Sequence, residues 1–244
     1  MATVILETQG VCKYFEGLKA VEDVSLSIRK GQIFGLIGPN GAGKTTFQNC
    51  IAGTYPPTKG KVEFKGKDIT GLKAHKCCHA GMGRTYQIVR SFPRMTVLEN
   101  VMVGSIFGIR KEGEIPTKKA AEVLEFVNCP VPHDVLAQNL NTIQLKRLEL
   151  ARALASNCEF LLLDEVAAGL TPLELMDITE LIRRIRDNGV TILIVEHLMK
   201  LIMNVCDQIA VLDFGKKIAD GTPKEISADE VVARAYLGAK AKLQ

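Results

Sequence analysis

The fold is decided by the stretch Gly38-Pro39-Asn40-Gly41-Ala42-Gly43-Lys44-Thr45-Thr46, which matches the pattern G-x-x-x-x-G-K-[ST]. In this pattern the glycines let successive backbone N–H groups turn towards a phosphate, and the helix that follows adds the partial positive charge of its N-terminus. Residues 33–37 form an apolar run that predicts a buried strand, and residues 46–52 are predicted to form a helix ending near Gly53. A glycine-rich turn without a ligand is the alternative, but the strand and helix on its two sides favour a nucleotide-binding loop.

Two side chains of this loop have predicted contacts of their own. Lys44 can reach the β- and γ-phosphates of a nucleotide, and the hydroxyl of Thr45 can hold Mg²⁺. The nucleotide-binding residues predicted in the loop are Gly38, Pro39, Asn40, Gly41, Ala42, Gly43, Lys44, Thr45 and Thr46.

The composition is that of an ordinary globular protein. A chain of 244 residues is long enough for one large domain, or for one domain with a subdomain. Its net charge of +4, without a basic run, argues against a nucleic-acid partner. No apolar stretch approaches the ~20 residues that cross a bilayer, and the first residues lack the basic and apolar regions of a signal peptide. The sequence therefore predicts a cytosolic protein, or one attached to a membrane through partners.

The seven cysteines predict buried thiols rather than disulfides. Their number is odd, no C-x-x-C occurs, and a nucleotide site implies the reducing cytosol. An alternative concerns His75, Cys78 and His79, which share one helix face at i, i+3 and i+4 spacing and would suit Zn²⁺. Because no fourth ligand is evident and the flanking strands would bury this helix, the sequence favours a structural role for these residues.

The first third of the chain is predicted to be rich in antiparallel β-structure, and a helical insertion follows Gln87. Strands are predicted at residues 4–9, 24–29 and 61–64. Thr96 and Glu99 have the spacing of a capping box, in which each side chain bonds to the backbone of the other residue at a helix start. Helices are predicted at residues 96–107, 117–127 and 143–155.

Sheet-like patterns return after the insertion. Strands are predicted at residues 160–163 and 191–195, followed by a hairpin of residues 209–212 and 217–218. Thr171-Pro172-Leu173-Glu174 combines an N-cap, a first-turn proline and a capping glutamate, and so predicts a helix to about Asp187; Thr222 begins the last helical segment in the same way. The alternation of strands and helices around the phosphate loop predicts an α/β fold with a mostly parallel sheet.

Charged side chains follow two of the buried strands at their carboxyl ends. Asp164 and Glu165 follow the apolar run 160–163, in a strand expected beside that of the phosphate loop. Asp164 is predicted to order Mg²⁺ through water, and Glu165 to act as the general base that polarises the attacking water. His197, after the next strand, is predicted to contact the γ-phosphate. The alternatives are a solvated strand end and a structural histidine.

Taken in chain order, these motifs resemble the ATPase subunits of ABC transporters over nearly the whole length. The similarity is closer to the ATPases of branched-chain amino-acid importers, the group usually called LivG. The stretches that carry it are Gly17-Leu18-Lys19-Ala20-Val21, Gly83-Arg84-Thr85-Tyr86-Gln87, Met95-Thr96-Val97-Leu98-Glu99-Asn100-Val101, Arg147-Leu148-Glu149-Leu150-Ala151-Arg152-Ala153-Leu154 and Tyr236-Leu237-Gly238.

The resemblance implies a P-loop NTPase of the ABC ATPase type that uses ATP and Mg²⁺. Its expected parts are a nucleotide-binding core with an antiparallel β subdomain (1–87 and 158–221), a helical subdomain (88–157) and a helical tail (222–244). Phe15 would stack on adenine, with Tyr14 as the second choice. Gln87 would link Mg²⁺ to the helical subdomain and take part in catalysis with Glu165 and His197.

The resemblance also implies partners. Such ATPases work as head-to-tail dimers beneath two transmembrane permease subunits, with a solute-binding protein acting indirectly and no nucleic acid involved. The expected location is the cytoplasmic face of the inner (cell) membrane, as a peripheral subunit. Ile88 to Glu99 would face the coupling helix of a permease.

This chain departs from the family at the surface that it offers to a partner ATPase. Where the family has the signature L-S-G-G-Q, this chain has Leu140-Asn141-Thr142-Ile143-Gln144. Asn141 can donate a hydrogen bond in place of the serine, whereas β-branched Ile143 is expected to resist both close backbone approach and a positive φ. Val166 replaces the usual proline, and Thr171 ends the segment expected to cross the interface. The expectation is a heterodimer with a homologous ATPase whose own signature completes this chain's site.

Two further functions stay open at this point. The impaired signature permits a nucleotide-binding subunit that scarcely hydrolyses ATP, and the fold permits an ATPase outside transport. The transported solute is not encoded in this chain, because substrate choice belongs to the membrane and binding subunits.

Overall fold

The computed structural model describes residues 3–241, with side chains described as far as Tyr236. The strands are β1 (Val4–Phe15), β2 (Leu18–Arg29), β3 (Ile33–Ile37), β4 (Lys59–Phe64), β5 (Lys67–Asp68), β6 (Met82–Arg84), β7 (Phe160–Asp164), β8 (Thr191–Val195), β9 (Gln208–Asp213) and β10 (Lys216–Gly221). The helices are α1 (Lys44–Ile51), α2 (Ala74–Ala80), α3 (Val97–Phe107), α4 (Pro116–Phe126), α5 (Thr142–Ala155), α6 (Pro172–Asp187), α7 (Met199–Val205), α8 (Pro223–Ala228) and α9 (Glu230–Ala241).

The six-stranded sheet has the order β10-β9-β3-β8-β7-β6. Strands β6, β7, β8, β3 and β9 run parallel, and β10 pairs antiparallel with β9, which confirms the predicted mostly parallel sheet. One detail of the prediction was wrong. Strand β8, and not the carboxylate-bearing β7, lies beside the phosphate-loop strand β3.

The central strands β3, β7 and β8 of the six-stranded sheet are buried on both faces, which explains why they are continuous apolar runs. Alternate residues of each strand point to opposite sides: Phe34 and Leu36 of β3 pack with α1 and the antiparallel strands, while Ile33 and Ile37 pack with the helices. Helix α1 therefore lies between the two sheets. Its apolar side chains pack in the cluster between the sheets, which fixes the helix there.

The second sheet is antiparallel, with the order β2-β1-β4-β5. Strands β1 and β2 are longer than the predicted segments 4–9 and 24–29, because the hairpin continues through Gly10 to Phe15 and Leu18. A register shift between Thr8 and Val11 absorbs Gly10, whose φ is 58°. A bulge of this kind bends a strand without ending it.

The helix starts follow the capping chemistry in the sequence. Three threonines cap helices, and the backbone N–H of each donates to the carboxylate of the glutamate three residues later, with N···O distances of 2.7 Å; the pairs are Thr96 with Glu99, Thr171 with Glu174, and Thr222 with Glu225. Helix α1 begins at Lys44, two residues before the predicted start, because Gly43 takes the N-cap position with φ of 96°. The loop lysine therefore belongs to the helix.

Helices α3, α4 and α5 pack on one another and form what is called here the helical segment. Its buried contacts include Val101 of α3, Leu124 of α4 and Leu148 of α5. The division of the chain at residues 88 and 157 stays a prediction. Residues 242–244 of the predicted tail lie outside the described residues.

The structure does not support the zinc alternative. Among residues 3–241, no group of three His, Cys, Asp or Glu side chains could hold a metal ion. His79 Nε2 instead lies 3.1 Å from the carbonyl of Phe107, and α2 is largely exposed rather than buried as expected. The seven cysteines are free, as predicted, and burial raises the pKa of Cys158 to about 12. Across the described range, none of the helices has the length and hydropathy to span a bilayer.

Helix α1 contains a polar side chain that the fold does not satisfy. Gln48 is fully buried, and neither its nitrogen nor its oxygen has a hydrogen-bond partner among the described residues. An unpaired buried amide costs about 1–3 kcal/mol. We expect Gln48→Met, a swap of similar volume, to raise the free energy of unfolding by an amount in that range, measured by chemical denaturation.

The matched control is the neighbouring amide on the same helix. Asn49 Oδ1 accepts a hydrogen bond of 2.7 Å from Arg84. Asn49→Leu should therefore lower the free energy of unfolding. A loss of stability in Gln48→Met would show that its carboxamide is satisfied after all.

Candidate functional site

The phosphate loop follows the C-terminal end of β3. Neighbouring backbone lies so close to two of its positions that only glycine fits there. A Cβ on Gly38, where φ is 148°, would lie 2.0 Å from the carbonyl oxygen of Leu212. A Cβ on Gly43, where φ is 96°, would lie 2.3 Å from the carbonyl oxygen of Ala20. Strands β9 and β2 therefore press on the loop from outside. Its concave side, which precedes the N-terminus of α1, fits a phosphate group.

Lys44 supplies a positive charge inside the loop. Its Nζ donates to the carbonyl oxygens of Gly38, at 2.7 Å, and Pro39, at 2.9 Å. Burial lowers the pKa of Lys44, while the nearby carboxylates of Glu165 and Asp164 act to raise it. The ammonium is thus held by neutral carbonyls, and a phosphate oxygen would be a stronger, charge-assisted acceptor.

The two threonines that end the motif lie in the first turn of α1. Thr45 is exposed and Thr46 is half-buried. Thr45 has the hydroxyl that Mg²⁺ requires beside a phosphate loop, and Asp164 supplies a carboxylate, so the donor set is one of oxygen atoms. These residues fit a magnesium nucleotide, and their roles towards it stay predictions.

Phe15, the predicted adenine platform, ends β1 with an exposed ring. The ring of Tyr55 meets it edge-on at 5.6 Å, and Lys13 Nζ lies 5.0 Å from its centroid. Lys13 is fixed in turn by a 3.0 Å hydrogen bond to the carbonyl of Pro56. The ring of Tyr14, the second choice, has Lys19 Nζ at 5.9 Å.

Asp164 is the last residue of β7 and is buried. Arg84 Nη2 lies 3.7 Å from Asp164 Oδ2. The backbone N–H of Asp164 donates to the hydroxyl of Thr85 at 3.2 Å. Burial raises the pKa of Asp164, and the Arg84 guanidinium acts against this rise. Arg84 was missed as a site residue. It lies in a stretch that carries the family resemblance, but nothing in the sequence pairs it with Asp164.

The three predicted catalytic side chains come together next to Asp164. Gln87 Nε2 donates to Glu165 Oε2 at 2.8 Å, and His197 Nδ1 lies 3.8 Å from Glu165 Oε1. Glu165 has a φ of 47°, the left-handed region that non-glycine residues seldom adopt, and its N–H bonds to the carbonyl of Val195 at 2.9 Å. Strained residues of this kind cluster at functional sites.

Two charged residues that the sequence did not single out, a half-buried lysine and a buried glutamate, hold the chain after Glu165. Lys146 Nζ, from α5, donates to the carbonyl of Val166 at 3.0 Å and also to that of Ala168. Glu196 Oε1 accepts from the N–H of Ala167 at 2.7 Å. Burial lowers the pKa of Lys146 and raises that of Glu196. Their contacts join segments far apart in sequence, so no local pattern announces them.

The signature residues Leu140, Asn141, Thr142, Ile143 and Gln144 lead into the first turn of α5, which begins at Thr142. Asn141 is the N-cap: its Oδ1 accepts from the N–H of Gln144 at 2.9 Å, and its own N–H donates to Gln144 Oε1 at 3.0 Å. Ile143 lies in the first turn of α5 with ordinary helical geometry, in agreement with the expectation that it resists a positive φ. A β-branched residue is tolerated there. The side chain's obstruction of a close backbone approach stays a prediction.

Comparisons with known proteins agree with this geometry. A family model described as ABC transporter matches residues 21–168, and one described as branched-chain amino acid ATP-binding cassette transporter matches residues 216–242. The chain is 40% identical to the high-affinity branched-chain amino acid transport ATP-binding protein BraF of Pseudomonas aeruginosa, across 98% of this chain and 99% of that protein. It is 39% identical to the lipopolysaccharide export system ATP-binding protein LptB of Haemophilus influenzae, with the same coverage. A solved nucleotide-free ATP-binding cassette from an ABC transporter superposes with a TM-score of 0.88 at 33% identity, covering 96% of this chain and 99% of that one.

Proposed function

The chain belongs to the ABC transporter family of ATP-binding proteins, and we propose that it is the ATP-hydrolysing subunit of an importer for branched-chain or related amino acids. It would work as a dimer with a homologous ATPase, bound to the cytoplasmic face of the cell membrane through its partners. The observation that carries the proposal is the convergence of Gln87, Glu165 and His197 at the strand end next to Asp164.

Each side chain has a role that its position supports. Lys44 and the loop amides bind the β- and γ-phosphates of ATP, and Phe15 stacks on adenine. Thr45, Asp164 and Gln87 would hold Mg²⁺, which neutralises charge on the phosphates when bound. Glu165 accepts the proton of the attacking water, and His197 contacts the γ-phosphate. Because Gln87 also donates a 2.8 Å hydrogen bond to Glu165, its side chain would contact both the Mg²⁺ site and the general base.

The face proposed for the permease is apolar and adjoins the site. A cleft of about 260 Å³ lies between β6, α3 and α5, and it is lined partly by Tyr86, Phe107 and Arg152. Phe107 in its wall is 68% exposed, and Ile88, two residues after the lining Tyr86, is 81% exposed. Exposed apolar side chains beside a cleft fit an amphipathic helix of a partner, and the segment from Ile88 to Glu99 continues directly from Gln87.

The solute is the least constrained part of the proposal. The match of residues 216–242 to a branched-chain amino acid transporter model supports an amino-acid importer. The similarity to a lipopolysaccharide export ATPase supports a second candidate, an exporter of the same family. Neighbouring genes for a second ATPase, two permeases and an amino-acid-binding protein would favour the importer.

The pairing with a different ATPase rests on Ile143. In a homodimer, each phosphate loop would face an Ile143-containing signature, whose side chain keeps the backbone away from the γ-phosphate. We expect the purified chain alone to hydrolyse ATP about 100-fold more slowly than the chain paired with its partner, the order of loss seen when one transition-state donor is removed. Steady-state phosphate release of the two preparations measures this difference.

A pair of variants tests whether Ile143 causes the slow hydrolysis by the chain alone. Ile143→Gly should raise the turnover of the chain alone, at some cost in helix stability. Leu145→Ala, a second truncation on the same helix, should not. Transporter-like turnover by the unmodified chain alone would rule out the heterodimer, and equal effects of the two variants would remove Ile143 as its cause.

A further inference from the structure

The loop that carries Gln87 is fastened to the helical segment through one carboxylate. The backbone N–H groups of Tyr86 and Arg90 both donate to Glu149 of α5, each at 3.3 Å, one to either carboxylate oxygen. Gln87 lies between the two anchored amides. The same side chain thus closes the loop from both ends.

A second buried side chain fixes the following part of the loop. Asn100 of α3 is fully buried, and its Oδ1 accepts from the N–H of Phe92 at 2.8 Å. Its Nδ2 donates to the carbonyls of Phe92, at 3.0 Å, and Thr96, at 2.9 Å. The loop from Tyr86 to Thr96 is therefore held by α3 and α5, and it reaches the catalytic strands through its side chains.

Those side chains form a continuous row. The guanidinium groups of Arg84 and Arg90 both contact the ring of Tyr86, at 4.8 Å and 4.9 Å from its centroid. Arg84 extends the row to Asp164, 3.7 Å away. At the tip of the loop, Gln87 turns inward to Glu165 while the neighbouring Ile88 is exposed.

Glu149 is poorly suited to a purely structural position. It is 3% exposed, and burial raises its pKa, while the two loop amides and Arg152, 3.5 Å away, act to lower it. A buried carboxylate carries a large desolvation cost, and well-packed apolar residues often stabilise a protein as well or better. An apolar residue at 149 would, however, leave both loop amides without an acceptor.

We propose that Glu149 is a positioning residue that makes the loop carrying Gln87 and the signature helix α5 move as one body. Helix α5 begins at the residues offered to the partner ATPase, and the loop displays Ile88 to the permease. A partner that displaces Ile88 therefore shifts Gln87 relative to Glu165 and turns the signature in the same step. The inference rests on the proposed role of Gln87 at the ATPase site, and it does not depend on the identity of the solute.

A double-mutant cycle separates positioning from general stability. The variants are Glu149→Gln, Gln87→Ala and the double variant, each assayed for kcat and KM in the complex of this chain with its partner ATPase. Glutamine keeps the volume but loses one acceptor. We expect Glu149→Gln to lower kcat about 10-fold with the KM for ATP within about twofold, and to have no further effect once Gln87 is absent.

Each outcome has a defined meaning. Additive losses in the double variant would overturn the inference, because Glu149 would then act independently of Gln87. Glu180→Gln, an exposed carboxylate on α6, is the control and should leave kcat unchanged. Faster amide exchange at Tyr86 and Arg90 in Glu149→Gln is expected, and unchanged exchange at both would also overturn the inference. An inactive wild-type complex would contradict the proposed function instead.

A folding defect does not end the test. If Glu149→Gln does not fold, Glu149→Asp enters the same cycle. It keeps the charge beside Arg152 and shortens the side chain by one methylene, so it cannot serve both loop amides. The same lack of additivity with Gln87→Ala is required of it.

Discussion

Replacing Glu165 by glutamine lowers the rate of ATP hydrolysis about 10³-fold and leaves ATP binding within about twofold, because a positioned general base contributes 10²–10⁴-fold to a reaction. The substitution preserves the shape of the side chain. A glutamine oxygen can still accept the 2.8 Å hydrogen bond from Gln87. The left-handed backbone, with φ of 47°, carries a similar strain for both residues. What is lost is the group that takes the proton from water.

Binding and turnover are measured separately in the dimer that hydrolyses ATP. Equilibrium binding of a fluorescent ATP analogue gives the affinity, and single-turnover phosphate release gives the chemical rate. Glu159→Gln is the matched control, since Glu159 precedes the opposite end of β7 and pairs on the surface with Lys65. Turnover retained by Glu165→Gln would remove Glu165 as the base. A loss in Glu159→Gln would show that the sheet, rather than the site, is sensitive to charge.

The second large effect is steric and concerns the loop itself. Gly38→Ala places a methyl group where the carbonyl oxygen of Leu212 lies 2.0 Å away. Backbone in β9 cannot withdraw without breaking the pairing of Ile37 with Val211. We expect the loop to open and ATP affinity to fall by at least about 100-fold, or about 2.7 kcal/mol, measured by calorimetric titration.

The same loop supplies the control. Gly41 also has a positive φ, of 80°, but a Cβ there has no other atom within 4 Å. Gly41→Ala should therefore cost only the backbone strain, about 1 kcal/mol, and weaken ATP binding less than 10-fold. Equal losses of ATP affinity in both variants would mean that loop flexibility, and not the close approach of the Leu212 carbonyl to Gly38, determines the affinity. Thermal unfolding of both proteins checks that the fold survives.

Much of the fold was predictable because its signals are local. The strands at 33–37 and 191–195 were predicted with their observed bounds, and the helix start at Thr171 was predicted from its capping box. Apolar periodicity and capping chemistry act within a few residues, so the sequence displays them directly. The bulged hairpin through Gly10 was missed. A glycine in the sequence is typical of a strand end, and only the pairing of β1 with β2 shows that the strand continues past it.

The family and its ATPase chemistry were also predictable, and they are confirmed by the match of residues 21–168 and by full-length relatives. The geometry that makes the site work was not. The order of strands places β8 between β3 and β7, and the contacts of Glu149, Lys146 and Glu196 join distant segments.

The sequence by itself determined the phosphate loop, from Gly38 to Thr46, since a glycine pattern followed by Lys44 and Thr45 specifies backbone amides and charge within nine residues. It also determined the two carboxylates at the end of β7, because Asp164 and Glu165 directly follow the apolar run 160–163. Only the tertiary structure decided that Gly38 must be glycine because of Leu212, and that Gln87 meets Glu165 while its loop is held by Glu149. Those facts depend on which surfaces pack together, and packing is settled by the whole chain at once.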